Sequence, residues 1–215
     1  IDGRSSWIVN CLEFHRLGLC DYSDTLRAMR SLTDSRSESS SDQIWLLEHY
    51  SIYTQGVSCK DRPTGDSGDI PLVHSDRGGQ ITYHGPGQLV AYLLLDIRRR
   101  GIGVRQLINI IEQSLVTLLA DLGLNAATQP GAPGVYIAGE KIAALGLRVR
   151  SGCCYHGFSL NVDLDLKPFS RINPCGFVDL AVTSLEKQGV SLTVAQAADR
   201  VQAILSQALP RAPGS

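Results

Sequence analysis

The stretch Asp76-Arg77-Gly78-Gly79-Gln80-Ile81-Thr82-Tyr83-His84-Gly85-Pro86-Gly87-Gln88-Leu89 constrains this chain more than any other. It sets four glycines and a proline between strand-like apolar runs. Glycine lets a backbone approach a ligand closely or take positive φ, at an entropic cost that a merely structural strand avoids. The stretch therefore reads as strand, ligand cradle, strand. A phosphate cradle needs Gly-Lys-Ser/Thr or Gly-x-Gly-x-x-Gly opening a helix. Neither pattern occurs here, and the residues after Gly87 have strand character. A glycine-bulged hairpin without a ligand is the competing reading from composition alone.

The flanking segments set the fold class. Trp7 to Phe14 reads as a strand, and Tyr22 to Leu32 as an amphipathic helix entered through Asp21 or Ser23. Ser35 to Asp42 is a polar linker, Ile44 to Glu48 and Tyr50 to Gln55 are strands, and Lys60 to Asp69 has loop composition. Leu72-Val73, Ile81-Thr82 and Gln88 to Ile97 are extended. Val104, Leu107, Ile108, Ile111, Leu115, Leu118 and Leu122 recur at helical spacing, with Gly123 ending the run. Gly134 to Ile137 and Lys141 to Val149 form a hairpin turning at Gly139-Glu140, and Cys153 to Val162 is a further strand. A turn-rich segment, Pro168 to Gly176, precedes a closing helix from Val194 to Leu205. Strands in series with few helices predict an α+β fold of mixed or antiparallel sheets flanked by helices. One domain is expected over residues 1–210, with 211–215 a frayed tail.

Composition excludes several partners. A formal net charge of -1 gives no drive toward nucleic acid or an anionic membrane. The longest apolar run, Leu89 to Leu95, is too short to span a bilayer. Asp2 and Arg4 begin no recognisable export signal, so the six cysteines are expected as thiols in a reducing cytoplasm. Cys153, Cys154 and His156 suggest a metal corner. On a regular strand, however, Cys153 faces away from Cys154 and His156, and no second ligand pair has zinc spacing, so no metal is expected.

Two residues carry nucleophilic chemistry. In Arg171-Ile172-Asn173-Pro174-Cys175-Gly176, the Pro and Gly place Cys175 on a sharp bend where a thiol can react, although most cysteines are inert core fillers. Lys141 opens a strand of small apolar residues, Ala143, Ala144 and Gly146. A lysine at the mouth of such a wall is partly desolvated and usable as a base, whereas a solvated hairpin lysine is the ordinary alternative. Arg98, Arg99 and Arg100, with Arg105, read as a solvated charged face or, functionally, as a dock for an acidic carrier protein.

Taken together, RGGQITYHGPGQ, GEKIAALG, HGFSLN and RINPCG closely resemble the lipoyl(octanoyl) transferase family of the biotin/lipoate protein ligase superfamily. The resemblance runs from about Trp45 to about Thr183, and departs locally at Tyr50-Ser51, where a Pro-Pro pair is frequent. It implies a biotin/lipoate protein ligase catalytic-domain fold and a cytoplasmic enzyme. That enzyme would carry an octanoyl group from octanoyl acyl-carrier protein to a lysine of lipoyl domains. The acceptors would be those of 2-oxoacid dehydrogenase complexes and the glycine cleavage H protein. It implies Cys175 as nucleophile and Lys141 as its activator. The implied substrate-binding residues are Arg77, Gly78, Gly79, Gln80, Ile81, Thr82, Tyr83, His84, Ala144, Leu145, Gly146, Gly157, Phe158 and Ser159.

Thioester exchange is nearly balanced and amide formation from a thioester runs downhill, so this reaction needs no ATP, cofactor or metal. An ATP-dependent lipoate or biotin ligase on the same fold is the rival enzyme, and a lipoyl-domain binding protein the non-enzyme rival. An octanoyl tail brings about six methylenes at ~0.8 kcal/mol each, roughly 5 kcal/mol of acyl binding. Shortening the tail by two carbons is therefore expected to lower kcat/KM about fifteen-fold, as measured with hexanoyl and octanoyl donors.

Overall fold

The computed structural model describes residues 12–59, 69–172 and 181–211. Strand β10 (Cys153–Asn161) is buried along its whole length and lies at the centre of the larger sheet. Its antiparallel neighbours are β6 (Gln88–Asp96) and β9 (Glu140–Arg150). With β1 (Leu12–Cys20), β2 (Asp42–His49), β7 (Ala126–Gln129) and β8 (Ala132–Ile137) they make a seven-stranded sheet, ordered β1-β2-β6-β10-β9-β8-β7. A second sheet of three strands is ordered β4 (Leu72–His74), β3 (Ile52–Gln55), β5 (Ile81–His84). Parallel pairs β1/β2 and β3/β4 among antiparallel ones make both sheets mixed, and the fold is α+β as the element series predicts.

Helices α2 (Val104–Asp121) and α3 (Val194–Ala208) cover one face of the large sheet. Most of the predicted stripe of α2 packs: Leu107, Ile111, Leu115 and Leu118 are buried against Leu93, Leu95, Leu160 and Val201, whereas Val104, in the first turn, is exposed. Thr193 and Gln196 form a capping box that starts α3. Helix α1 (Tyr22–Asp34), capped by Asp21 rather than Ser23, covers part of the other face with Tyr22, Leu26 and Met29 against Val90, Tyr92 and Tyr155. The remainder of that face meets the small sheet, and a cleft lies between them.

Several boundaries differ from expectation. The first strand continues beyond Phe14 to Cys20, held in parallel register to β2 with an irregularity between Arg16 and Gly18. Asp42 belongs to β2 rather than to the linker, and β3 begins only at Ile52. Strand β7 is absent from the sequence-based expectation, because Ala126 to Gln129 lacks the alternating apolar signal and pairs only at the sheet edge. The loop expected from Lys60 to Asp69 falls almost wholly outside the described residues, as do Trp7 to Cys11.

The arginine run departs most from expectation. Asp42 is buried, and Arg36, Arg99 and Arg100 converge on its carboxylate, Arg99 at 2.9 Å and Arg100 at 2.5 Å. The Asp96 N–H adds a fourth donor at 2.9 Å, and Arg100 also donates to the Pro210 carbonyl at 2.6 Å. Arg99 and Arg100 therefore belong neither to a solvated face nor to a docking surface; only Arg98 and Arg105 stay exposed. A buried cation needs a carboxylate, and here that partner comes from a strand far away in sequence. Asp42→Ala leaves Arg36 and Arg100 buried without an anion and is expected to destabilise the fold by about 3–5 kcal/mol in denaturant titration. A loss below ~1 kcal/mol would show that the cluster is peripheral.

Candidate active site

The cleft lies between the large sheet and β5 with the loop before it, and holds about 790 Å³ counting its open mouth. Strands β6, β9 and β10 make its floor. Of the residues singled out from sequence, Arg77, Gly79, Gln80, Ile81, Thr82 and His84 line one side. Lys141, Ala144, Leu145, Gly146, Gly157, Phe158 and Ser159 line the other. Gly78 and Tyr83 lie behind this wall. Alternation along β5 sends Tyr83 into a separate cluster, edge-on to Phe169 at 5.5 Å and with its hydroxyl 3.0 Å from Ser51. Cys175, Asn173, Pro174 and Gly176 are outside the described residues.

The glycine loop is clamped onto β9. The Gly78 N–H donates to the Leu147 carbonyl at 3.0 Å, so it is spent on structure rather than left for an oxyanion. A Cβ on Gly146 would meet Gly78 O at 2.9 Å, so glycine is required for this approach. Arg77, itself buried, donates from Nε to Thr54 Oγ1 at 3.1 Å and from Nη2 to the Thr54 carbonyl at 2.6 Å, closing that end of the cleft.

Asp76 anchors the loop. It accepts from Tyr155 Oη at 2.6 Å and from His156 Nε2 at 2.9 Å, and pairs with Arg30 of α1 at 3.0 Å. Burial alone would raise the Asp76 carboxyl, but the His156 and Tyr155 hydrogen bonds and the Arg30 charge outweigh it and hold the group well below the usual range. His156 is the exception to strand alternation. Its φ of 60° puts it beside Tyr155, with rings stacked at 5.0 Å, instead of beside Cys154. Cys154 faces the helices, donates to the Leu93 carbonyl at 3.1 Å, and has its thiol pushed by burial to about 12. The expected pairing of Cys154 with His156 on one face is thus corrected: left-handed backbone at one residue reverses the side-chain direction.

Two further histidines sit under the cleft. His49 Nδ1 lies 3.0 Å from the Cys20 carbonyl, which can only accept, so Nδ1 carries the proton and Nε2 accepts from the Tyr92 hydroxyl at 2.7 Å. His84 Nδ1 donates to Gln88 Oε1 at 2.7 Å. Gln88 in turn donates to Asn161 Oδ1 at 2.9 Å, and Asn161 to the Thr183 carbonyl at 2.8 Å. That relay holds the 181–183 segment beside Lys141, whose backbone N–H donates to Ala181 O and whose carbonyl accepts from Thr183. Burial lowers His49 to about 4 and His84 to about 3, so both are neutral at physiological pH.

Lys141 itself is 4% exposed, a buried lysine rather than a solvated hairpin residue. Its Nζ stands 5.2 Å from the Tyr136 ring centroid. From Lys141 to Gly146 the floor is apolar, with Val90, Ala143, Ala144, Leu145 and Phe158. The arrangement is a buried amine at one end of an apolar trough. Tyr22, Val90, Tyr92, Phe169 and Val182 line it too but escape sequence reasoning, since each carries an ordinary core signature. Gln88 and Asn161 do lie within the glycine-rich and HGFSLN motifs, and their amides are the signal that points to the relay.

A family model described as lipoyl protein ligase A/B catalytic domain matches residues 21–206. The chain is 59% identical over 175 residues to an octanoyltransferase of Pseudomonas putida, covering 81% of each. It is 52% identical over 198 residues to an octanoyltransferase of Pseudomonas syringae pv. tomato, covering 92% of this chain and 91% of that one. Among solved structures, lipoate-protein ligase A bound with ATP superposes with a TM-score of 0.77 at 15% identity, over 92% of this chain and 85% of the other; at that identity the likeness concerns the fold.

The neutral histidines give a signed pH dependence. In the unfolded chain they bind protons near pH 6.5, but in the folded one only near 4 and 3, so acidification favours unfolding. Stability in urea is expected to be flat above pH 7 and to fall steadily from pH ~6.5 toward pH ~4. Stability unchanged between pH 7 and pH 5 would contradict the buried neutral state.

Proposed function

We propose, from the premise that this chain belongs to the lipoyl protein ligase A/B catalytic-domain family, that it is an acyltransferase of protein lipoylation that moves an octanoyl group. The donor is octanoyl acyl-carrier protein. The acceptor is a specific lysine of lipoyl domains, those of 2-oxoacid dehydrogenase complexes and the glycine cleavage H protein. Residues 1–210 act as one catalytic domain. The observation that carries this reading is Lys141, buried at the end of an apolar trough whose floor is strand.

In the first half-reaction Lys141 takes the proton of the Cys175 thiol. The thiolate attacks the donor carbonyl and the carrier's C–S bond breaks, its sulfur leaving with the proton from Lys141. The octanoyl group is then a thioester on Cys175. In the second half-reaction the acceptor amine attacks that carbonyl and gives its proton to Lys141. The Cys175 sulfur leaves and recovers the proton. The Lys141 arm reaches over Gly134 toward Ala143, and the acyl chain lies from there along β9 and β10 with its tail toward Gly146 and Gly157, about three strand residues on. No step consumes ATP, and likeness to the ATP-bound ligase extends to fold alone.

Mixing the protein with octanoyl acyl-carrier protein is expected to give one octanoyl adduct by intact mass, released by hydroxylamine and absent in Cys175→Ala. Lys141→Ala should slow its formation at least ~100-fold. An adduct that survives Cys175→Ala, or a requirement for ATP, would overturn the mechanism.

A further inference from the structure

Two groups from β8 reach Lys141 Nζ. The Pro133 carbonyl oxygen is 3.5 Å away, a long contact rather than a tight hydrogen bond, and the Tyr136 ring presents its face at 5.2 Å. Neither group is left to find its own orientation. The peptide that carries the Pro133 carbonyl also carries the Gly134 N–H, and this N–H donates to Glu112 Oε1 of α2 at 2.9 Å. A carboxylate on one end of a peptide fixes its plane and polarises the carbonyl at the other. The Tyr136 ring is held by its hydroxyl, which donates to the Ala132 carbonyl at 3.0 Å.

Gly134 makes the approach possible. Its φ is 145°, and a Cβ there would lie 2.7 Å from Ala143 O and 3.1 Å from Lys141 Cε. The lysine arm thus runs across a bare backbone. Glu140, next to Lys141, is engaged by Lys187 at 2.8 Å, so its charge is directed at another cation.

We propose that Glu112 and Tyr136 are positioning residues for Lys141: Glu112 acts through the Pro133–Gly134 peptide, Tyr136 through its ring face, and together they hold the amine at the reacting end of the trough. The inference rests on Lys141 as the activating lysine. Glu112 is half-buried on the helix side of the sheet, does not line the cleft, and acts on the amine only through the intervening peptide.

Loosening either group lets the amine leave the reacting end without disturbing the acyl floor. The test is kcat and KM for octanoyl transfer, alongside the rate of octanoyl adduct formation by intact mass. In Glu112→Ala and Tyr136→Leu, kcat and the adduct rate are expected to fall about tenfold, with donor KM within about twofold. Glu112→Gln keeps an acceptor for the Gly134 N–H and should recover most of kcat, and Tyr136→Phe keeps the ring face and should recover part of it; both also serve if the harsher variants fold poorly. An unchanged kcat in both harsher variants, or a loss confined to donor KM, would overturn the inference and leave the acyl-transfer reading standing. Full activity of Lys141→Ala would instead sink that reading.

Discussion

Asp76 is the point at which three separated parts of the chain are tied together. Its carboxylate collects Arg30 from α1 and both Tyr155 and His156 from β10, and it directly precedes Arg77 and the glycine loop. To present both aromatic residues on one side, β10 adopts left-handed backbone at His156. That conformation costs a non-glycine residue on the order of 1–3 kcal/mol. The charge-assisted hydrogen bond it permits offsets a comparable amount. This one anchor sets the position of the loop: Gly78 docks on Leu147, Arg77 reaches Thr54, and the end of the trough is closed.

The two faces of the large sheet have different roles. The helix face is apolar and close-packed, with α2 and α3 on Leu93, Leu95 and Leu160. The other face carries buried polar relays around an apolar strip. Neutral histidines suit such a site, because an uncharged ring can donate at one nitrogen and accept at the other, as His49 does, without bringing charge into a desolvated space. The relay through Gln88 and Asn161 then connects the cleft floor to the segment paired with Lys141, so apolar trough and amine share one scaffold.

Much of this is legible in the sequence, for identifiable reasons. The stripe of α2 and the hairpin of β8 and β9 follow from periodicity, which is a local property. Lys141 stands out only through its setting, at the head of a run of alanines and glycine, since its hairpin position alone would make it solvated. The turn of His156 is not legible, since period-two alternation presumes extended φ at every residue. Arg99 and Arg100 look like surface charge because their anion, Asp42, is remote in the chain and sits in what composition marks as linker. Tyr83 shares its motif with the cleft-lining residues, although alternation along β5 separates it from Thr82 and His84.

In the proposed reaction the trough gauges the acyl chain, with the reacting carbonyl near the Lys141 amine and the tail near Gly146 and Gly157. The most direct test uses octanoyl acyl-carrier protein bearing a photoreactive diazirine at the terminal carbon, followed by irradiation and peptide mapping. The account predicts labelling on β9 near Gly146, on β10 near Gly157, or on Tyr92 facing them. Labelling concentrated beside Lys141, or outside the cleft altogether, would contradict it.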